Sequence, residues 1–578
     1  MPADGRNGKA KNMSRPSGCK KACDLFLLCL LAAIAAPAQT FTSISSFDVT
    51  NGANPQWGPL VQGIDGNFYG TTSGGGIYNS GCFRSSDGYC GTVFKVTPGG
   101  TLTTLHPFDN GADGSGPMPG LILATDGNFY GVNSNGGDFS VCFGIGCGVA
   151  FKIIPGGTFT TLDEFNFTIT ANSVSALVEG TDGNFYGTGV NGGISGCGPA
   201  ADGCGSIFKM TSGGTLTALH KFDFSDGWDP QGAALIQGKD GSFYGETPGG
   251  GSSSNCSNNC GTIFKVGPLG VYAVLHNFDG TDGGGPQGGL IQAADGNFYG
   301  TAGVGGAHGD GTVFRISAEG AFTTLHSFDG SDGSNPDAGV IQASDGSFYG
   351  TTLSGGAHGD GTVFKITVGG KLTTLHNFGG NDGSNPYAGL LQATDGTFYG
   401  TTYAGGADGD GTVFSLSVGL GPFVSFVSNS GEVGETAEIL GRGFTGTTAV
   451  SFDGTPAVFS VQSDTYLTAT VPVGATTGSL TVTEPSGTLK SNTEFRVTPQ
   501  IKSFTPTSGP AGTTVIITGE SFTQAVGAEL ACKWPMTFTV DSDTQITATI
   551  PPNGTTGEIM IFTPGGNVES TTKFAVTP

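Results

Sequence analysis

The hexapeptide D-G-[NST]-F-Y-G occurs seven times, beginning at Asp65, Asp126, Asp182, Asp240, Asp295, Asp345 and Asp395, at spacings of 61, 56, 58, 55, 50 and 50 residues. A period of this kind means one supersecondary unit copied along the chain, each copy burying its apolar face against its neighbours. Every copy is followed by [CD]-G-x-[VIA]-F, ending at Phe94, Phe151, Phe208, Phe264, Phe314, Phe364 and Phe414. The first six are followed in turn by a segment close to T-L-T-x-L-H-x-F.

One unit reads as four strands. Residues 340–343 are apolar, Asp345-Gly346 is a tight turn, and 348–352 returns with aromatic and β-branched side chains. After a Gly-rich loop, 362–367 alternates apolar and polar, Gly369-Gly370 turns the chain, and 372–376 alternates again. No segment carries a helical period, and 106 glycines would each cost a helix interior about 1 kcal/mol. The expected class is therefore all-β, with four-stranded antiparallel meanders as blades of a β-propeller. The seventh unit stops near Val418, one strand short, while residues 40–47 match the fourth-strand pattern and precede the first unit. That complementarity predicts a closed seven-bladed ring with no orphan edge. An open β-solenoid is the competing architecture.

The motifs D-G-N-F-Y-G-T-T, G-G-A-x-G-D-G-T-V-F and L-H-x-F-D-G-x-D-G resemble the GloVer tandem repeat of secreted bacterial proteins described as having a choice of anchor, over about residues 40 to 418. The resemblance implies a location outside the cell and no particular chemistry. It agrees with the N-terminus, where Arg6, Lys9, Lys11, Arg15, Lys20 and Lys21 precede an apolar run at 25–36 and the site Ala36-Pro37-Ala38. This is the pattern of a signal peptide cleaved after Ala38, too short to span a bilayer comfortably. Cys29 follows Leu28, where lipidation would need a small residue. The remaining chain has 16 basic and 44 acidic residues, a formal charge of −28. Such a chain repels phosphate backbones, which excludes nucleic acid as a partner.

Eight cysteines fall in pairs in the loops between second and third strands: Cys82 with Cys90, Cys142 with Cys147, Cys197 with Cys204, and Cys256 with Cys260. Units five to seven carry Asp310, Asp360 and Asp410 at the second position. In an oxidising compartment these pairs are expected as local disulfides. Zinc is the alternative, weakened by the absence of companion histidines. Cys532 stands alone, buried or a free thiol.

Beyond about residue 420 a second pattern appears twice: Gly431, Gly434, Gly441 and Phe444 recur as Gly509, Gly512, Gly519 and Phe522, and Asp464, Pro472 and Gly478 as Asp543, Pro551 and Gly557. Two immunoglobulin-like sandwiches of about 80 residues each fit. The string I-K-S-F-T-P-T-S-G-P-A-G-T-T-V-I-I-T-G-E-S-F at 501–522 resembles the IPT/TIG module, whose relatives in bacterial surface proteins act as spacers and binding domains. The first copy departs at Asn429, where the second has Pro506, Thr507 and Ser508. The expected order is a signal peptide at 1–38, the propeller at 39–418 and IPT/TIG sandwiches at 419–498 and 499–578.

No constellation points to catalysis: G-x-S-x-G, H-E-x-x-H and P-loop motifs are absent. His106, His220, His276, His326 and His376 occupy one repeat position, blade widths apart, so packing or hydrogen bonding is favoured over metal. His308 and His358 are likewise equivalent. The Asp-Gly loops at Asp279, Asp329 and Gly379 offer oxygens that calcium would accept, but the spacing of a calcium loop is missing and Asp-Gly is ordinary turn chemistry. The repeat Asp residues resemble sialidase Asp-boxes only superficially. Trp57 and Trp228 do not repeat and stand before first strands, either stacking on a sugar or packing the rim. The reading is an exported, monomeric, non-catalytic binding or structural protein for a glycan or protein ligand, without cofactor. An enzyme acting on polysaccharide is the alternative, to be recognised by non-repeating carboxylates at one channel mouth. A single functional face is expected on the disulfide-stapled side.

Overall fold

The structure, a computed structural model, describes residues 39–82, 88–140, 142–197, 202–232 and 234–578. The expected signal peptide lies outside the described residues. All regular structure among them is β, apart from one 3-10 turn at Cys142–Gly144. Seven antiparallel four-stranded sheets follow one another. In the sixth, the strands are Ile341–Gln342, Phe348–Thr352, Thr362–Ile366 and Leu372–Asn377, in that spatial order.

The F-Y dipeptide explains how the sheets become a ring. Adjacent residues in a strand face opposite ways, so Phe348 and Tyr349, both buried, point toward different neighbouring sheets. Each Tyr ring lies against the Phe of the next unit: Tyr69 on Phe129, Tyr130 on Phe185, Tyr186 on Phe243, Tyr244 on Phe298, Tyr299 on Phe348 and Tyr349 on Phe398, at 3.9–4.3 Å between centroids. The seventh, Tyr399, meets Phe68 of the first unit at 4.1 Å and closes the circle. Burial of such a ring contributes about 1.5–3 kcal/mol, and the pairing about 0.5–1.5 more. The glycine after each Tyr makes room for this packing. A Cβ on Gly350 would lie 2.7 Å from the Phe364 ring of the adjacent strand.

The N-terminal strand Thr40–Ser46 pairs antiparallel with Thr412–Ser417, Thr40 opposite Ser417 and Ser46 opposite Thr412, and so completes the last sheet. A second circle of contacts joins the innermost strands. Gln237 accepts from the Thr181 amide, Gln292 from Lys239, Gln342 from Ala294, Gln392 from Ser344 and Gln62 from Thr394. Glu179 takes the same place toward Thr125, accepting from its amide and hydroxyl. Leu123 occupies the equivalent position at the first junction.

Each sandwich is a four-stranded sheet packed on a five-stranded one, in the same strand order. The departure at Asn429 leaves the opening intact. Ser430–Gly431 runs parallel to Arg496 and Val497 as Ser508–Gly509 does to Ala575 and Val576. The recurring Asp464 and Asp543 accept backbone amides of the turns that begin at Phe444 and Phe522.

Candidate functional site

The repeated polar residues are spent on the scaffold. In the second sheet the Asp126 carboxylate caps the Asn128 amide, accepts from the Tyr130 hydroxyl at 2.9 Å and meets Lys152 Nζ at 2.7 Å. Burial alone would raise its pKa, but Lys152 and Asn128 hold it below the ordinary carboxylate value. The same Asp, Tyr and Lys meet in the third, fourth and sixth sheets. In the seventh, Ser415 stands where the others have Lys or, in the fifth, Arg315, and Arg442 of the first sandwich approaches Asp395 at 3.9 Å instead.

The repeat histidines pair with the Asp-Gly loops. His276 Nε2 lies 2.8 Å from Asp282 Oδ2, whose other oxygen accepts the Asp279 amide, and Asp279 caps Thr281. His106, His220, His326 and His376 repeat the contact with Asp113, Asp226, Asp332 and Asp382 at 2.8–2.9 Å. His276 also stacks on Phe322 of the following sheet at 3.9 Å. These carboxylates serve turn and imidazole, and no three His, Cys, Asp or Glu among the described residues are grouped to hold a metal.

Departures from the repeat collect at the two mouths of the ring. One mouth carries the loops between second and third strands and those preceding first strands. There the disulfides Cys82–Cys90, Cys142–Cys147, Cys197–Cys204 and Cys256–Cys260 close their loops with Cα separations of 5.2–5.5 Å. Trp57, Tyr387 and Tyr403 converge on this mouth: Trp57 and Tyr387 are edge-to-face at 6.5 Å, Tyr387 and Tyr403 at 5.6 Å. Trp57 has φ 54°, a conformation costly for so bulky a residue, and its buried indole N–H has no hydrogen-bond partner. Asp337 stands beside Tyr387, and burial pushes its carboxyl up to about 6 against a hydrogen bond from Gln287. Between the fourth and fifth sheets Glu246 replaces the Thr of most units. One oxygen accepts the Gly289 amide at 3.0 Å, the other is unpartnered, and burial pushes it up to about 8.

The aromatic group unites Trp57 of a stapled sheet with Tyr387, Tyr403 and Asp337 of two cysteine-free sheets, so it straddles the stapled sector rather than lying within it. Trp228 packs the rim, against Gly249 and Phe224. Cys532 is exposed, and its thiol is pushed up to about 11, chiefly by its hydrogen bond to Glu569.

The first sandwich covers the other mouth, where the D-G-x-F-Y-G turns lie. Thr465 Oγ1 donates to the Ile64 carbonyl, Thr394 Oγ1 to Gly441, and the Phe423 amide to Thr394. Across the ring, Lys239 pairs with Glu494 at 3.1 Å and Arg496 reaches the Gly238 carbonyl at 3.5 Å. Between these supports lies a cavity of about 1760 Å³. Burial, with Glu179 and Glu435 nearby, pushes Glu438 on its wall up to about 7. Sequence reasoning missed this site and Asp337. The only signals were a Glu in place of Gln at 179 and, in the proline-containing loop before the sixth sheet, an Asp at a repeat position where the neighbouring units carry Gln287 and Tyr387.

A fungal alcohol oxidase of the AA5 family, in complex with copper, matches at 13% identity over 93% of this chain and 99% of its own, with a TM-score of 0.43. A putative 6-phosphogluconolactonase from Bacteroides fragilis matches at 18% identity over 57% of this chain and 90% of its own, with a TM-score of 0.37. A surface glycan-binding protein from Prevotella bryantii matches at 18% over 27% and 39%, with a TM-score of 0.20. Scores this low bear on no residue of the site. No curated protein matches the chain. Residues 422–497 and 499–576 each match the IPT/TIG domain. The overlapping segments 32–199, 83–292, 142–343 and 294–442, most of the chain, match one repeat family, and the protein belongs to the Gloeobacter/Verrucomicrobia repeat family.

Proposed function

We propose that this chain is an exported binding protein that holds an extracellular glycan at the mouth of the ring left open by the sandwiches. The observation that carries the reading is the convergence of Trp57, Tyr387 and Tyr403 with Asp337, four departures from the repeat brought together by ring closure. Aromatic faces receive the C–H faces of sugar rings, and a carboxyl with an unpartnered indole N–H beside them supplies acceptor and donor for hydroxyls. Four disulfides suit an oxidising compartment. In this reading residues 1–38 direct export, the ring at 39–418 binds as a monomer, and the sandwiches at 419–498 and 499–578 hold it off a surface. A glycan array probed with wild type and Trp57→Ala, with and without Ca²⁺, tests it. Binding that Trp57→Ala lowers at least tenfold is expected, and wild type that binds no glycan in either condition refutes it.

A polysaccharide-acting enzyme is the second reading. It draws on the two non-repeating carboxyls Asp337 and Glu246, raised to about 6 and about 8, a range in which a general acid works near neutrality. Reducing ends released from polysaccharide by wild type but not by Asp337→Asn would favour it.

A further inference from the structure

The first sandwich crosses the ring as a handle. Its polar contacts fall on the first and seventh sheets at one end, through Thr465, Gly441 and Phe423, and on the fourth sheet at the other, through Glu494 and Arg496. Among the described residues no hydrogen bond or ion pair joins it to the second, third, fifth or sixth sheet, yet first strands of all four line the cavity beneath it. We infer that this passage is a second ligand site and that it takes a segment of an uncharged polysaccharide chain.

Its volume, about 1760 Å³, exceeds the roughly 300–1,000 Å³ that suffices for a small molecule. With supports only at opposite ends, the space suits an extended chain. Two side chains on the handle each leave a buried polar atom without a partner. Arg496 is 8% exposed, makes no ion pair, holds the Gly238 carbonyl only at 3.5 Å and leaves Nε without an acceptor. Asn492 Oδ1 is buried without a donor. A buried charge without a counter-charge is strongly unfavourable, and an unpaired buried amide oxygen is costly as well. Sugar hydroxyls satisfy both, accepting from Arg496 and donating to Asn492.

Charge selects against the ionic alternatives. Glu179, Glu435 and Glu438 share the space and repel a polyanion, while Lys239, Lys490 and Arg496, also on the wall, deny a polycation an unbroken acidic surface. Ile236, Ile291 and Ile341 on the ring side offer apolar surface to sugar C–H faces.

This inference rests on the reading of the protein as a glycan binder, and the test separates the two. Calorimetric titration of the whole chain uses hexasaccharides of cellulose, xylan and mannan, with oligogalacturonate and an uncharged peptide as other arms. Wild type, Trp57→Ala, Arg496→Gln and Asn492→Ala are compared, and thermal unfolding verifies that each variant is folded. Binding of a neutral hexasaccharide weakened about 10- to 100-fold by Arg496→Gln, and several-fold by Asn492→Ala, is expected. Should Arg496→Gln fail to fold, Asn492→Ala decides. Binding lost in Trp57→Ala but unchanged in both handle variants overturns the passage and keeps the open mouth. Loss only in the handle variants does the reverse. Oligogalacturonate or peptide as the only bound probe, or no binding at all, overturns the passage.

Discussion

Glu246→Gln should remove a pH-dependent weakness of the ring. Glu246 is 1% exposed, one oxygen accepts the Gly289 amide, and the other has no partner. Burial raises its pKa from 4.5 to about 8. In the unfolded chain the carboxyl ionises near 4.5, whereas in the folded ring it keeps its proton to about pH 8. The unfolded state therefore binds fewer protons throughout this window, and stability falls as pH rises, by about 1.4 kcal/mol per unit. Its favourable contribution is complete below pH 4.5 and lost once pH passes 8. Between pH 5 and pH 8 this amounts to about 4 kcal/mol. A ring of this length should lose roughly 1 °C of Tm per kcal/mol, extrapolating the per-residue unfolding entropy. Glu246→Gln keeps an acceptor for Gly289 and cannot titrate. Differential scanning calorimetry from pH 5 to pH 8 should show the ring transition of wild type falling about 4–5 °C further than that of the variant. Asp337 and Glu438 titrate in the same direction but are present in both proteins, so they cancel. Parallel Tm curves for the two proteins would refute the burial argument.

Deleting residues 40–46 exposes the Thr412–Ser417 edge, and light scattering should then show stronger concentration-dependent association than for the full chain. Each disulfide closes a loop of four to eight residues and contributes about 2–3 kcal/mol, so Cys256→Ser with Cys260→Ser should lower the denaturation midpoint of the ring while the sandwich transition stays in place. Arg442→Ala should change stability by less than about 1 kcal/mol in urea titrations, because that side chain is 67% exposed and its contact with Asp395 is long.

Much of the scaffold was legible because strand patterning is local. The F-Y dipeptide, the Asp-Gly turns and the missing seventh fourth-strand are all visible in the chain, and the structure gives each a physical role. The repeat histidines hydrogen-bond Asp partners six or seven residues ahead, a pairing the pattern does not mark because those Asp residues also read as ordinary Asp-Gly turns. Trp57 was singled out as a departure, but its partners were not, since Tyr387 and Tyr403 lie more than 300 residues away and meet it only because the last sheet packs on the first. Docking of the first sandwich on the ring, rather than closure, decides that Ser415 is answered by Arg442 from another domain. By itself, then, the sequence determined the repeated unit, its strands, its cysteine pairs and the two modules that follow, because a period and an alternation specify local geometry wherever they recur. Tertiary structure alone decided which departures from the period share a mouth, which mouth the handle covers, and that Arg496 and Asn492 line a cavity with Nε and Oδ1 left unpartnered. Those facts depend on how rigid sheets and sandwiches meet in space, for which residues hundreds of positions apart carry no local pattern.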